Sequence, residues 1–354
     1  MADNTEYFLL ASYSCLLSVT SRLDQLRQKG SSAVLFCLTE PLYAFLRPLA
    51  VHFPQIKIHF IKDQPTWRIR QPLTLLRARA QTKNLYHQWF AGLPEGSIVH
   101  FYNRHAALFL FYTVWHLHTK CQMHYTECDM VDMYAPYWSL RSATQQLFFY
   151  FVYPIPIEIV RPSNKQSAVS LPAISAKGIQ QIVTQTHERI LTAGTLQSSP
   201  IYKALQWRTS AKILWIMSMA LDMGEIEETA YEALLAQCYA LFSASEQIVK
   251  FHPRASHFER FGADSVNTVP THIPAEFLQL EGITAVITIS STSNTAWSLT
   301  PNVNIISLVE LLPFVNETIR ERHRQAMQQA TTQYFAPTTP GELWQILGEL
   351  NIEA

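Results

Sequence analysis

The sequence predicts an α/β protein built from two doubly wound parallel sheets, one in each half of the chain. Three observations carry this. From the N-terminus to about residue 126, short apolar runs of strand length alternate with longer amphipathic runs. The alternation lapses over an irregular stretch, residues 154–200, that holds Pro162, Pro172 and Pro200, and restarts at Lys212. In the second half, two strand-like runs end in polar groups, at the place where open parallel sheets bind ligands.

Each element follows from its local pattern. Tyr7–Ser12 reads as a strand and Ser18–Lys29 as an amphipathic helix closed by Gly30. Ser32–Leu38 is a strand, Pro41–Val51 a helix and Gln55–Ile61 an alternating strand. Leu73–Phe90 is a longer helix, followed by the strand Ser97–Phe101, the helix Arg104–Thr119 and the strand Gln122–Thr126. Ser175–Thr192 has a helical pattern. The domain boundary is expected near residues 195–211. Beyond it come the strand Lys212–Met219, the helix Glu225–Phe242, the strand Glu246–Phe251 and a short strand near Val266–Val269. A helix over Ala275–Leu280, the strand Thr284–Ile289, a helix from Asn294 and the strand Val303–Leu308 follow. Glu317–Thr331 and Gly341–Leu350 are terminal helices.

Composition removes several function classes. With 354 residues, 48% hydrophobic and 15% charged, the chain can bury a large core and is not a disordered protein. Lys+Arg and Asp+Glu both number 27, so bulk electrostatic binding to nucleic acid is not expected. Cys15, Cys37, Cys121, Cys128 and Cys238 are scattered, odd in number and without a CxxC, which argues against a zinc site or disulfide framework and for a reducing cytosol. The first residues lack a basic n-region and read as a buried strand, not a signal peptide. Ala106–Leu117 is apolar but too short to span a bilayer, and Leu147–Tyr153 reads as a core strand or a membrane-facing patch. No GxGxxG or GxxxxGK[ST] occurs, so dinucleotide and P-loop readings lose their main support.

The chemistry concentrates in two stretches. Lys250-Phe251-His252-Pro253-Arg254 ends one strand, and Ile289-Ser290-Ser291-Thr292-Ser293 ends another. Alone, a His–Pro is a turn and a Ser/Thr cluster is a helix N-cap. Together, at strand ends taken to be successive, they suit an anion: imidazole, hydroxyls and the N–H groups of a helix start could hold one phosphate between them.

These residues, with His272-Ile273-Pro274-Ala275-Glu276-Phe277 between them, resemble the bacterial CMP-sialic acid-dependent sialyltransferases: the capsular polysialyltransferases and the lipooligosaccharide sialyltransferases. Those families carry an HP motif, an Ile-Pro-x-Glu segment and a Ser/Thr pair in this order. The likeness covers roughly residues 210–310. They also carry two acids and a Gly, with a Tyr four residues on. The candidate here is Tyr125-Thr126-Glu127-Cys128-Asp129-Met130-Val131-Asp132-Met133-Tyr134. Aligning on Tyr134 puts Cys128 and Asp129 at the acidic pair and Met130 where the Gly stands.

The resemblance implies a GT-B fold, two Rossmann-like domains facing a cleft. Residues 1–200 would bind the acceptor and supply the base, 201–335 would bind the donor, and 336–354 would form a C-terminal helix. It implies a metal-independent, inverting transfer of sialic acid from CMP-sialic acid to a glycan of capsule or lipooligosaccharide, with no cofactor. Asp129 would be the general base, with Glu127 and Asp132 as rivals, and Tyr134 and His105 would lie on the acceptor side. His252 would donate to the CMP phosphate beside Pro253; Ser290, Ser291 and Thr292 would hold it from the other strand, and Glu276 would bind the ribose. A Kdo transferase with the same CMP site, and a GT-B protein that binds without turnover, are the alternatives. The protein would be cytoplasmic. Arg320-Glu321-Arg322-His323-Arg324 reads as a solvated helix face that could also contact anionic lipid on the inner face of the membrane.

Overall fold

The computed structural model describes residues 5–65, 72–102, 108–117, 119–127, 179–183, 196, 198–240, 242–252, 267–290, 303–331 and 333–350. The chain divides into two compact units: Met1–Glu188 with Ser198–Ala204, and Arg189–Gln197 with Leu205–Ala354.

The first unit holds a six-stranded sheet of β1 (Thr5–Leu10), β2 (Ser32–Cys37), β3 (Ile56–Phe60), β4 (Ile98–Tyr102), β5 (Gln122–Glu127) and β6 (Ile179–Val183). Their order is β3-β2-β1-β4-β5-β6, and every pairing is parallel. This is the strand order of a doubly wound Rossmann-like sheet. The connecting helices are α1 (Leu16–Gln28), α2 (Glu40–Leu46), α3 (Pro48–His52), α4 (Pro72–Trp89) and α5 (Leu108–Leu117). In α1 the buried residues Leu16, Val19, Thr20, Leu23 and Leu26 recur at helical spacing. The helix closes with Ser31 N–H bonded to Leu26 O and Gly30 N–H to Arg27 O, and Gly30 takes the positive φ this cap requires.

Three expectations need correction. The helix over Pro41–Val51 is two helices, because Pro48 has no N–H to donate and its ring would meet the carbonyl four residues back. Within Ser175–Thr192 the described residues form β6, a strand on β5. Ile179, Ile182 and Val183 are β-branched, and pairing outweighs the helical pattern. In the second unit, Ala275–Phe277 is one 3-10 turn, and Leu278–Gln279 is a strand. Phe277, Leu278 and Leu280 are all buried, a run without helical period. The helix from Asn294 and the run Leu147–Tyr153 lie outside the described residues.

One face of the first sheet is an aromatic core. Phe36 packs on Phe90 at 4.6 Å, and Phe90 meets Phe109 and Tyr86 from α5 and α4. The opposite face buries charge. Glu6 of β1 accepts from His100 Nε2 at 2.6 Å and from Arg22 Nε of α1 at 2.9 Å, and Arg22 Nη2 binds its other oxygen. His100 stacks on Phe8 at 4.6 Å, and His124 lies edge-on to it at 5.1 Å. Burial alone would raise the Glu6 carboxyl; the bonds from His100 and Arg22 outweigh it and hold the group at about 2. Buried charge is tolerated here because every oxygen has a cationic or N–H partner.

α6 (Pro200–Leu205) belongs to the first unit up to Ala204. The second unit contains β7 (Trp207–Arg208), β8 (Ile213–Ile216), α7 (Glu228–Tyr239), β9 (Gln247–Lys250), β10 (Asn267–Thr268), β11 (Leu278–Gln279), β12 (Ala285–Thr288), β13 (Asn304–Ser307), α8 (Glu317–Ala330) and α9 (Pro340–Glu349). The main sheet runs β10-β9-β8-β12-β13, again all parallel, and β11 pairs with β7 apart from it. All residues of β8, β9 and β12 are buried, as a parallel sheet covered on both faces requires. Among the polar side chains these strands bury, Gln247 accepts from Trp215 Nε1 at 3.2 Å and donates to the carbonyls of Tyr239 and Phe242. Among the described residues, no helix is long and apolar enough to cross a membrane.

Because Glu6 titrates at about 2 when folded and near 4.5 when not, its stabilisation is complete above pH 4.5 and is lost as pH falls towards 2. Glu6→Gln is expected to remove this acid-sensitive component and to cost about 3 kcal/mol at neutral pH, the low end for breaking a buried pair because Arg22 is partly exposed. Urea unfolding of both proteins across pH 2–7 checks both effects.

Candidate functional site

In a sheet ordered third, second, first, fourth, fifth, the connections reverse direction between the first and fourth strands. In the second unit these are β8 and β12. The candidate site lies at the carboxyl ends of β8 and its two neighbours.

His252 follows β9 and is half-buried; Ser290 follows β12 and is half-buried. They do not terminate adjacent strands, as the sequence alone suggested. β8 lies between β9 and β12, because the first strand of a doubly wound unit is central. Two strand spacings separate their backbones, about 10 Å, so one phosphate held by both side chains would sit over the end of β8. Ser218 is there, its hydroxyl accepting the Ala220 N–H at 3.1 Å in the turn that follows β8.

Glu276 lies half-buried on the 3-10 turn after Pro274. Its charge reaches Lys250, the last residue of β9. Lys250 is 3% exposed, and its Nζ donates to the Phe251 carbonyl at 2.6 Å. Burial drives its amine down to about 8, against the pull of Glu276. It is therefore a buried cation beside the His–Pro turn, not the strand-end surface charge that its sequence position suggests.

The residues least visible in the sequence lie behind Ser290. Its Oγ is 2.6 Å from Nδ1 of His323 in α8, and Nε2 of that ring is 2.9 Å from Glu225 Oε2. Arg322 Nη2 binds the other Glu225 oxygen. Burial would raise the Glu225 carboxyl, but hydrogen bonds from His323 and Arg322 outweigh it and keep it below its usual value. Arg324 binds Glu310 and Glu321. The run expected to be a solvated face thus turns Arg320, Arg322, His323 and Arg324 onto carboxylates of this chain. The signal that could have found it is spacing: Ile319, His323 and Met327 are four apart, and Met327 is fully buried.

The other predicted residues divide simply. Glu127 is the last residue of β5, in register with Val183 of β6. His105, Asp129, Asp132, Tyr134, Pro253, Ser291 and Thr292 lie outside the described residues. His100 is mid-strand in β4 and buried on Glu6.

No protein-family model and no curated protein matches the sequence. Solved structures similar to the chain include the glycotransferase of kitacinnamycin, 10% identical, covering 99% of this chain and 91% of that one, with a TM-score of 0.43. A sialyltransferase from Photobacterium damsela is 11% identical over 95% of this chain and 82% of its own, with a TM-score of 0.43. A UDP-GlcNAc 2-epimerase from Methanocaldococcus jannaschii is 11% identical over 98% and 99%, with a TM-score of 0.42. The assignment of two Rossmann-like units stands on the strand orders above.

Lys250 gives this site a pH signature. Its amine titrates at about 8 folded and near 10.5 unfolded, so the unfolded chain binds more protons between those values. Stability is expected to rise with pH across that window by this group alone. Lys250→Met should remove that rise and stabilise the protein at pH 7 by up to about 3 kcal/mol, the cost of burying the cation. Denaturant midpoints of the two proteins between pH 7 and 10.5 measure the difference.

Proposed function

We propose that this protein is a glycosyltransferase that takes its sugar from a CMP-activated donor, with sialic acid as the sugar and a cell-surface glycan as the acceptor. The observation that carries the proposal is the pairing of His252 and Ser290 at the carboxyl ends of the strands flanking β8. Both are anion-compatible groups at the ligand-binding edge of a doubly wound sheet. The order of motifs, His252-Pro253, then Pro274 to Glu276, then Ser290-Ser291, supports the choice of CMP.

In this reading, His252 donates to the phosphate and stabilises the charge that builds on it as the sugar leaves. Ser290, Ser291 and Thr292 bind the same phosphate, and Glu276 accepts from the ribose hydroxyls. Lys250 adds a buried cation beside His252. Asp129 takes the proton from the attacking acceptor hydroxyl, in a single displacement that inverts the anomeric carbon. CMP carries one phosphate, so the leaving group needs no divalent ion to neutralise a diphosphate. Contact with an anionic membrane is a weaker part of the proposal, since Arg322, His323 and Arg324 already bind carboxylates.

The first test is thermal stability with CMP, UDP, GDP, ADP and NAD in turn. CMP alone is expected to stabilise, by about 2.7 kcal/mol at 100-fold over its dissociation constant. Stabilisation by UDP or GDP instead would discard the CMP assignment. Transfer assays with CMP-sialic acid and CMP-Kdo then separate the sugars. His252→Ala should lower turnover about 100-fold, the scale of losing one transition-state donor. Asp129→Asn should abolish transfer and leave CMP affinity unchanged; the same result from Asp132→Asn would move the base there.

A further inference from the structure

The bonds behind Ser290 form a chain whose hydrogen directions are constrained. Glu225 is 5% exposed and held ionised, so its carboxylate only accepts. Nε2 of His323, 2.9 Å away, must therefore carry a hydrogen and donate it. The variable is Nδ1, 2.6 Å from Ser290 Oγ. In the neutral ring Nδ1 is bare and accepts the serine hydrogen. Ser290 then presents only lone pairs to the strand end. In the imidazolium, Nδ1–H donates to Oγ, and the serine hydrogen is released to point at an anion.

We propose that His323 is a positioning residue that converts Ser290 from acceptor to donor, so that a phosphate group binding at the end of β12 takes up a proton at His323. This rests on the reading of Ser290 as a ligand of the nucleotide phosphate. Among the described residues, the charged groups in contact with this triad are Glu225, from the loop after β8, and Arg322, beside His323 in α8. Phe314 adds an uncharged ring, 5.1 Å from the imidazole. A negative charge arriving at Ser290 favours the protonated ring over the neutral one. The proton acquired on binding then stands behind the oxygen atoms on which charge would grow as CMP departs.

The experiment is calorimetric titration of the full chain with CMP, from pH 6 to 8.5, in two buffers of different ionisation enthalpy. It compares the wild type, His323→Gln, Ser290→Ala and the double variant. CMP and His252 are common to all four proteins, so differences in proton uptake between them isolate His323. The wild type is expected to take up a fraction of a proton that all three variants lack. His323→Gln should lower CMP affinity about tenfold at pH 6, the scale of one hydrogen bond to a charged group, and little at pH 8.5. Ser290→Ala removes one hydroxyl and leaves the Glu225 bonds in place, so it serves if His323→Gln unfolds. Equal proton uptake in wild type and Ser290→Ala overturns the proposal. Absence of CMP binding by the wild type overturns the nucleotide reading as well. Imidazole nitrogen shifts then still report the relay itself, since Ser290→Ala should move Nδ1 of His323 and a shift unchanged by it would refute the bond.

Discussion

Glu225 is the point from which the active edge of the second unit is built. A carboxylate out of water must find cations or N–H donors or lose its charge. Here both partners come from neighbouring residues of one helix, the Arg322 guanidinium and the His323 Nε2–H. The backbone adds to the anchor: Glu225 N–H bonds Ala220 O, and its carbonyl accepts from Val315 N–H. Ile226 bridges Phe314, and Glu227 N–H bonds Pro313 O. The loop after β8, the loop after β13 and the first turns of α8 are thereby tied into one piece. Ser290, reaching the same imidazole, adds the end of β12 to it. On the proposed reading Ser290 points at a phosphate, and a side chain with that task is best carried by such a frame.

The first unit repeats the ingredients without the consequence. Glu6, His100 and Arg22 are again a buried carboxylate, an imidazole and a guanidinium. Their place differs. Glu6 and His100 lie within β1 and β4, between the sheet and α1, and His100 is walled by Phe8 and His124. Among the described residues, the hydrogen bond of that imidazole is to Glu6 within the sheet, not to a group at the strand end. The pair shows that composition alone does not mark a functional cluster; the distance from the ligand-binding edge does.

Much of this was legible in the sequence because the central strands of each sheet are largely buried. Runs such as Ile213–Ile216 and Ala285–Thr288 cannot be anything but interior, and the helices between them keep a clear apolar stripe. His252 and Ser290 were found for the same reason: they are where an interior run stops. What was hidden depends on contacts between distant segments. The strand β6 exists through its pairing with β5, and the pause at Leu278–Gln279 through β7. Glu225 and His323 are 98 residues apart, and a charged run reads as surface until its partner is known. Lys250 likewise looked exposed because strand ends usually are.

The strand orders also set a timetable for synthesis. In the main sheet of both units the earliest strand is a central one, with a partner that arrives late. One side of β1 is covered by β2 within a few turns of chain, but its other side is completed by β4, roughly ninety residues on. At about 5–20 residues per second, the ribosome leaves that edge, with Phe8, Leu9 and Leu10, open for roughly 5–18 seconds. β8 meets the same delay before β12. An unpaired apolar edge is a template for other chains. Yield in cells should therefore follow translation speed and holding chaperones more closely than it follows the stability of the finished fold.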